Sequence, residues 1–378
     1  MNLPLLRDAG DLRGKRVLLR LDLDLPLEQG RLEDAHRINR ARKTLDFLKN
    51  GGAKTLIIGH VGRDPKETLR PIGDYLRTFL PIVFAEGVEV AKEKLRVAEE
   101  GTFVLLENLR SFKGETENDP TFARALAALA DVYVNEAFAV SHREHASIAL
   151  APKLLKSFAG FVFAEEVQNL SKAFTPTHPA LLILGGAKFE TKTPLIKRFL
   201  GIVDDVYVSG ALANDIYRAR GYETGVSLVS SYTLPDSILR SPKLHVPSDV
   251  IVRTLHGPVE RGPDTLEENE KIVDAGSDAL SDLRVLVEKA AFVLWNGPLG
   301  EYEAGFDQGT IALAQMLAEC DAETIIGGGD SLAVVSKLGL LERFSFVSTG
   351  GGAMLEFLAN ETLPGIQALQ KQARNGEL

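Results

Sequence analysis

Arginines and histidines close the β-rich runs in the first half of the chain. His60 and Arg63 follow TLIIG, Arg110 follows TFVLLENL, and His142 with Arg143 follow DVYVNEAFAV. Guanidinium forks presented on separate loops toward one cleft bind carboxylate and phosphate bidentately, so this set reads as a clamp for a small multivalent acid. Any one of these arginines alone reads as a solvated surface charge, and their shared placement after strands is what gives the set meaning. Lone histidines are ordinarily packing or surface residues, and His36, His145, His178 and His245 are read that way; His60 and His142 stand beside arginines. Asp22 and Asp24 are two residues apart on an apparent strand, which puts both side chains on one face. They either accept from a substrate hydroxyl and orient the arginines, or form a structural ion pair with Arg20 or Arg37, and the spacing does not choose between these readings.

The second half has a different chemistry. Its strand-like runs end in glycine: Gly185-Gly186, Gly210, Gly297, Gly327 to Gly329 and Gly350 to Gly352. Backbone without Cβ admits close approach of phosphate, and free amides at a helix start attract anions, so several such turns together suggest a polyphosphate ligand. Neither G-x-G-x-x-G nor G-x-x-x-x-G-K-[ST] occurs, which argues against an ordinary dinucleotide fingerprint or Walker A loop. Lys188 and Lys192 follow the first turn four residues apart, on one face of a helix that starts there. Asp330 closes a glycine turn, where it serves as a helix N-cap, as a ligand to magnesium carried by a nucleotide, or as both.

These residues need a scaffold that collects loops from several strands. RVLLRLDLD, TLIIGHVGR, TFVLLENLR and DVYVNEAFAV alternate with helix-length segments such as NRARKTLDFLKNG and FARALAALAD, which carry apolar residues at three- and four-residue spacing. LLILGGAK, DVYVSGA, FVLWNGPLG, TIIGGGDS and FVSTGGGA repeat the scheme. Alternation of this kind predicts α/β architecture: two Rossmann-like three-layer lobes, each with a mainly parallel sheet. A chain of 378 residues exceeds the roughly 250–300 at which single cores stop growing, which also favours two domains. AEEVQNLSKAF reads as a helix joining them, followed by a break at Pro176 to Pro179. A net charge of −9 without a basic run disfavours nucleic acid and anionic membrane. The single cysteine, Cys320, excludes an internal disulfide and fits a reducing compartment. With no signal-like apolar run and no stretch near the roughly 20 residues of a membrane span, a soluble cytoplasmic protein is expected.

Taken in order, RLDLDLP, EDAHRI, GHVGR, LLENLR, DVYVNEAF with SHREHAS, LGGAK, LWNGPLG, IIGGGDS and STGGGA resemble phosphoglycerate kinase nearly end to end. The resemblance implies reversible transfer from 1,3-bisphosphoglycerate to Mg-ADP, giving 3-phosphoglycerate and Mg-ATP, by in-line attack on hinge closure in a monomer. It implies a phosphoglycerate lobe over residues 1–160, with the tail 360–378 packing back on it, and a nucleotide lobe over 161–359. By motif, Asp22, Asp24, Arg37, His60, Arg63, Arg110 and Arg143 would surround the acid. Gly186, Lys192, Asn296, Glu303, Gly328, Gly329, Asp330 and Ser331 would hold the nucleotide, with Asp330 nearest its magnesium. Arg37 and Lys188 would meet the phosphoryl group in flight, assisted by amides near Gly351. Catalysis would then be positioning and charge stabilisation, with no covalent enzyme intermediate.

Five positions depart from the family pattern: Asp24 for asparagine, Glu136 for aspartate, Glu301 for an apolar residue, Ser331 for threonine and Met354 for a small residue. Asp24 brings a carboxylate beside an acidic substrate, and Met354 reshapes the phosphate end of the nucleotide site. A binding protein that has lost turnover is the competing reading, which retention of Arg37, Lys188 and Asp330 disfavours. An NAD-dependent oxidoreductase lacks its glycine fingerprint here.

Overall fold

The apolar runs of the first half become strands buried on both faces. In the computed structural model, which describes residues 2–28, 31–187 and 189–374, they form a six-stranded parallel sheet. Its spatial order is Ile82–Ala85, Phe103–Leu106, Lys54–Ile58, Arg16–Arg20, Val132–Asn135 and Lys156–Ala159. Val17, Leu19, Ile57 and Val134 share a core with Ile38, Leu45, Leu48, Ile72 and Leu76 from the covering helices. Leu18, Leu56 and Tyr133, which alternate with them on the opposite face, are equally buried. Strands covered on both sides require continuous rather than alternating hydrophobicity, which is the pattern these segments carry.

The second sheet runs Leu244–His245, Asp205–Val208, Ala180–Leu184, Phe292–Asn296, Glu323–Gly327 and Phe346–Val347. In chain order this is the doubly wound 3-2-1-4-5-6 arrangement, whose direction reverses between Ala180–Leu184 and Phe292–Asn296. Leu181, Ile183, Val293 and Trp295 pack against Leu283, Leu313, Leu317 and Val335 of the helices. An antiparallel three-stranded insert, Val250–Thr254, Gly257–Arg261 and Lys271–Ala275, follows the edge strand of this sheet and was not anticipated from sequence.

The chain divides into two units, Met1–Gln168 with Asn360–Leu378, and Asn169–Ala359. The division falls inside the helix Phe161–Ser171, a few residues beyond the border at 160 that the resemblance implies and before the proline break at Pro176 to Pro179. Within the first unit the helix Pro364–Arg374 packs against residues 146–154 and the strand Lys156–Ala159, burying Ile366 and Leu369. Gly365 allows the approach: its amide donates to Ser141 O at 2.9 Å, and a Cβ there would lie 2.7 Å from Ser141 Oγ.

Glu136 sits at the start of Phe161–Ser171. Thr44 Oγ1 donates to it, as do the amides of Val162 and Phe163 at 3.2 and 3.3 Å. A Cβ on Gly160 would fall 2.0 Å from Oε2, so the longer acid fits because position 160 is glycine. Burial pushes its carboxyl up from 4.5 to about 7, against the opposing hydrogen bonds. The folded value lies above the unfolded one, so the stability this group contributes is present at acid pH and lost as pH rises toward 7. Over that range the loss is about 3 kcal/mol. Glu136→Gln is therefore expected to gain about that much relative to wild type between pH 5 and 8 in urea unfolding, and a difference independent of pH would contradict the assignment.

Candidate anion clamp and nucleotide cavity

In a parallel sheet the loops that leave the carboxyl ends of the strands carry the site. The strand Arg16–Arg20 ends before Asp22, which corrects the sequence expectation that both aspartates lie on it. Leu21 N still reaches Ile58 O at 2.9 Å, after which the strand pairing stops and Leu23 packs over Gly59. Asp22 pairs with Arg37 at 3.2 Å, and Arg37 Nη1 also donates to Asp24 O at 3.0 Å, which ties the helix His36–Arg40 to this loop. Asp24 Oδ1 accepts from Gly62 N at 3.0 Å, and Oδ2 lies 3.5 Å from His60 Nε2. Arg110 donates to Gly62 O. Asn108, fully buried, donates to Val61 O at 3.0 Å and Glu67 O at 2.9 Å and accepts from Arg110 N at 3.1 Å. It staples the His60 loop to the Arg110 loop, a role LLENLR contained but the sequence reading did not extract.

The cations act on one another. Burial, then Arg143, with Arg20 and Arg63 adding, lowers the Arg110 pKa, while Asp24 opposes. Burial and then Arg143 lower His142, and burial, Arg143, Arg20, His60 and Arg110 hold His145 near 4. Burial resists ionisation of Asp24, but His60, the Gly62 amide and Arg110 outweigh it and hold the carboxyl at about 2. Like charges gathered around Arg110 and opposed by Asp24 are the arrangement expected of a candidate anion site. His145, read from sequence as bland, belongs to this neighbourhood, whereas His178 and His245 pair with Asp204 and Asp205 at 2.6 and 2.7 Å.

In the second unit the reversal point of the sheet opens into a cavity of about 740 Å³. Its wall includes Gly186, Lys192, Asn296, Glu303, Gly328, Gly329 and Asp330, together with apolar surface from Tyr217, Pro247, Val250 and Ile272. Glycine is required by contact: a Cβ on Gly185 would lie 2.0 Å from Pro298 O, and on Gly210, at φ +62°, 2.7 Å from Gly186 N. Lys192 is buried and donates to Gly185 O; burial lowers it to about 8, with Asp330 opposing. Gly328, at φ +100°, starts the helix Gly329–Lys337, whose first turn carries Asp330 on the cavity wall. Ser331 is fully buried and accepts from Gly297 N at 3.0 Å, so its hydroxyl holds a turn. Gly351, at φ +53°, precedes the helix Gly352–Asn360. Met354 presses on Gly327, where a Cβ would meet its sulfur at 2.1 Å, and receives a weak contact from Asn296 Nδ2 at 3.9 Å. Glu301, where an apolar residue was expected, pairs with Lys271 at 2.5 Å. Lys188 lies outside the described residues. Asp274 was missed in the sequence: it lines the cavity, accepts from Gly309 N at 2.9 Å, and is raised by burial to about 6.

A sequence model of the family described as phosphoglycerate kinase matches residues 6–361. The chain belongs to the phosphoglycerate kinase family. It is 38% identical to the phosphoglycerate kinase of Methylorubrum extorquens strain PA1, over 97% of this chain and 98% of that one. It is also 38% identical to a phosphoglycerate kinase of Thermus thermophilus, over 95% and 98%. The solved phosphoglycerate kinase of Coxiella burnetii superposes with a TM-score of 0.86 at 33% identity, covering 98% of this chain and all of that one, and that of Pyrococcus horikoshii OT3 with 0.84 at 26%, with the same coverages. The α/β architecture of Rossmann-like lobes with parallel sheets expected from sequence is therefore the fold of the phosphoglycerate kinase family, and the chain is a phosphotransferase of that family. Among the described residues no helix is long and apolar enough to cross a membrane.

Proposed function

We propose that the chain transfers a phosphoryl group reversibly from 1,3-bisphosphoglycerate to Mg-ADP. The acid binds the first unit, among Asp22, Asp24, Arg37, His60, Arg63, Arg110 and Arg143, and the nucleotide occupies the cavity of the second. The observation that carries this reading is the pairing of unlike sites in one chain, guanidinium groups at the strand ends of one sheet and a cavity walled by glycine turns with Lys192 at the reversal point of the other. Arg37, with Lys188 as its counterpart and amides near Gly351, stabilises the charge of the transferring group, and the in-line step needs the hinge closure that family membership implies.

Magnesium fits this site as a companion of the nucleotide. Among the described residues no group of three metal-ligating side chains converges, and Asp330 is one exposed carboxylate on the cavity wall, which suits an ion held mainly by phosphate oxygens and water. The ion would neutralise charge on the nucleotide phosphates, and Lys192 would add a fixed cation at the same wall. A cytoplasmic monomer is the proposed working form. A coupled assay with 3-phosphoglycerate and Mg-ATP is expected to show turnover that needs both nucleotide and magnesium; binding of both ligands without turnover would support a non-catalytic relative instead.

Asp24 places a full negative charge beside the acid and occupies the Gly62 amide. Asp24→Asn removes the charge and keeps an acceptor, so the KM for 3-phosphoglycerate is expected to fall about tenfold at constant ionic strength. An unchanged KM would mean that Asp24 turns away from the bound acid.

A further inference from the structure

Arg20, the last residue of the central strand in the first unit, is 1% exposed. Among the described residues its side chain makes three hydrogen bonds, none to a carboxylate: Nη1 donates to Leu21 O at 2.7 Å, Nε to Ser147 Oγ at 3.1 Å, and Nη2 lies 3.1 Å from His60 Nδ1. A guanidinium buried in this way needs a counter-charge within reach. Ser147 provides the route, because its hydroxyl donates to Glu115 Oε1 at 2.6 Å and its amide to Oε2 at 2.9 Å. Glu115 is itself 1% exposed. Ser147 sits in Ala146–Leu150, a single π-helical turn of a kind often found at functional sites, and Tyr133 Oη fixes the turn by donating to Ser147 O at 2.9 Å.

The direction of this chain is set by its donors. The one hydroxyl proton of Ser147 is committed to Glu115, so Oγ accepts from Arg20. Arginine has no acceptor, so His60 Nδ1 must accept from Arg20 Nη2, and a neutral imidazole then carries its proton on Nε2. Burial lowers the His60 pKa, with the Arg20 charge acting in the same direction and Asp24 opposing, which keeps the ring neutral. Nε2 is buried, makes no hydrogen bond among the described residues, and lies 3.5 Å from Asp24 Oδ2, so its N–H is turned to the Asp24 side of the anion clamp. The other ring near Glu115 is His145, whose Nδ1 lies 3.8 Å from Oε1.

We propose that Glu115 is a positioning residue of the anion clamp: through Ser147 it holds Arg20, and through Arg20 it fixes His60 with its N–H on Nε2, on the Asp24 side of the clamp. This rests on the reading that phosphoglycerate binds beside His60. Glu115 touches neither substrate nor reacting atoms, and its effect is to choose the His60 tautomer.

The test uses the full chain labelled with ¹⁵N-histidine. In wild type the His60 Nδ1 resonance is expected in the unprotonated range and Nε2 in the protonated range. In Glu115→Gln and in Ser147→Ala the two signals are expected to move toward each other as the tautomers mix. The KM for 3-phosphoglycerate is expected to rise about tenfold while kcat changes less than about threefold. If Glu115→Gln does not fold, Ser147→Ala, which removes one hydroxyl, carries the test alone. A wild-type His60 protonated on Nδ1, or a folded Ser147→Ala with unchanged His60 signals and KM, overturns the inference. If wild type shows no turnover, the phosphoglycerate reading falls, and the histidine signals still decide the role of Glu115.

Discussion

Replacing Arg37 by alanine is expected to lower kcat about a thousandfold while the first unit stays folded, because a pre-aimed guanidinium at a transferring phosphoryl group contributes on the order of 10²–10⁵. The structure holds this side chain ready: Nη1 is bonded to Asp22 at 3.2 Å and to Asp24 O at 3.0 Å, and the side chain remains about one-third exposed. A surface arginine of purely structural use would cost stability and leave turnover nearly unaltered. Arg37→Lys separates charge from geometry, since lysine keeps the cation and loses the planar fork, and an intermediate loss is expected. Single-turnover kinetics with saturating ligands measures the step directly. A loss in Arg37→Ala below about tenfold would remove Arg37 from the chemistry.

Gly185→Ala is expected to abolish useful nucleotide binding, with Kd for Mg-ADP rising at least about a hundredfold. The new Cβ would lie 2.0 Å from Pro298 O and 2.8 Å from Gly297 O, both backbone atoms that cannot rotate away. The strands Ala180–Leu184 and Phe292–Asn296 must then separate at their carboxyl ends, next to Gly186, Asn296 and Gly297 of the cavity wall, since Gly185 N also bonds Asn296 O at 3.0 Å. Overpacking of this kind costs on the order of 1–3 kcal/mol of stability in the second unit. Gly87→Ala is the control, because nothing lies within 4 Å of its added Cβ and its φ of −161° suits any residue. Titration calorimetry with Mg-ADP and thermal unfolding of both variants check the pair; equal affinity in the two proteins would show that the glycine contact is not what shapes the site.

Local information sufficed for much of this molecule. Continuous apolar runs such as LLIL and FVLWN specify strands buried on both faces, and the glycines at 185–186, 210, 327–329 and 350–352 mark turns into helices; both follow from the residues themselves and their immediate neighbours. The order of nine such blocks carried the family. Tertiary structure alone decided where Asp22 and Asp24 stand, because a strand ends where its partners leave it, and here the pairing with both neighbours ends at Arg20. It alone assigned Ser331 to a turn through Gly297, 34 residues away. It alone joined Glu115 to Ser147 and Ser147 to Arg20, across 32 and 127 residues of chain. Contacts at that separation leave no periodicity in the sequence, since burial of a carboxylate and a guanidinium becomes tolerable only when the fold brings a shared hydroxyl between them.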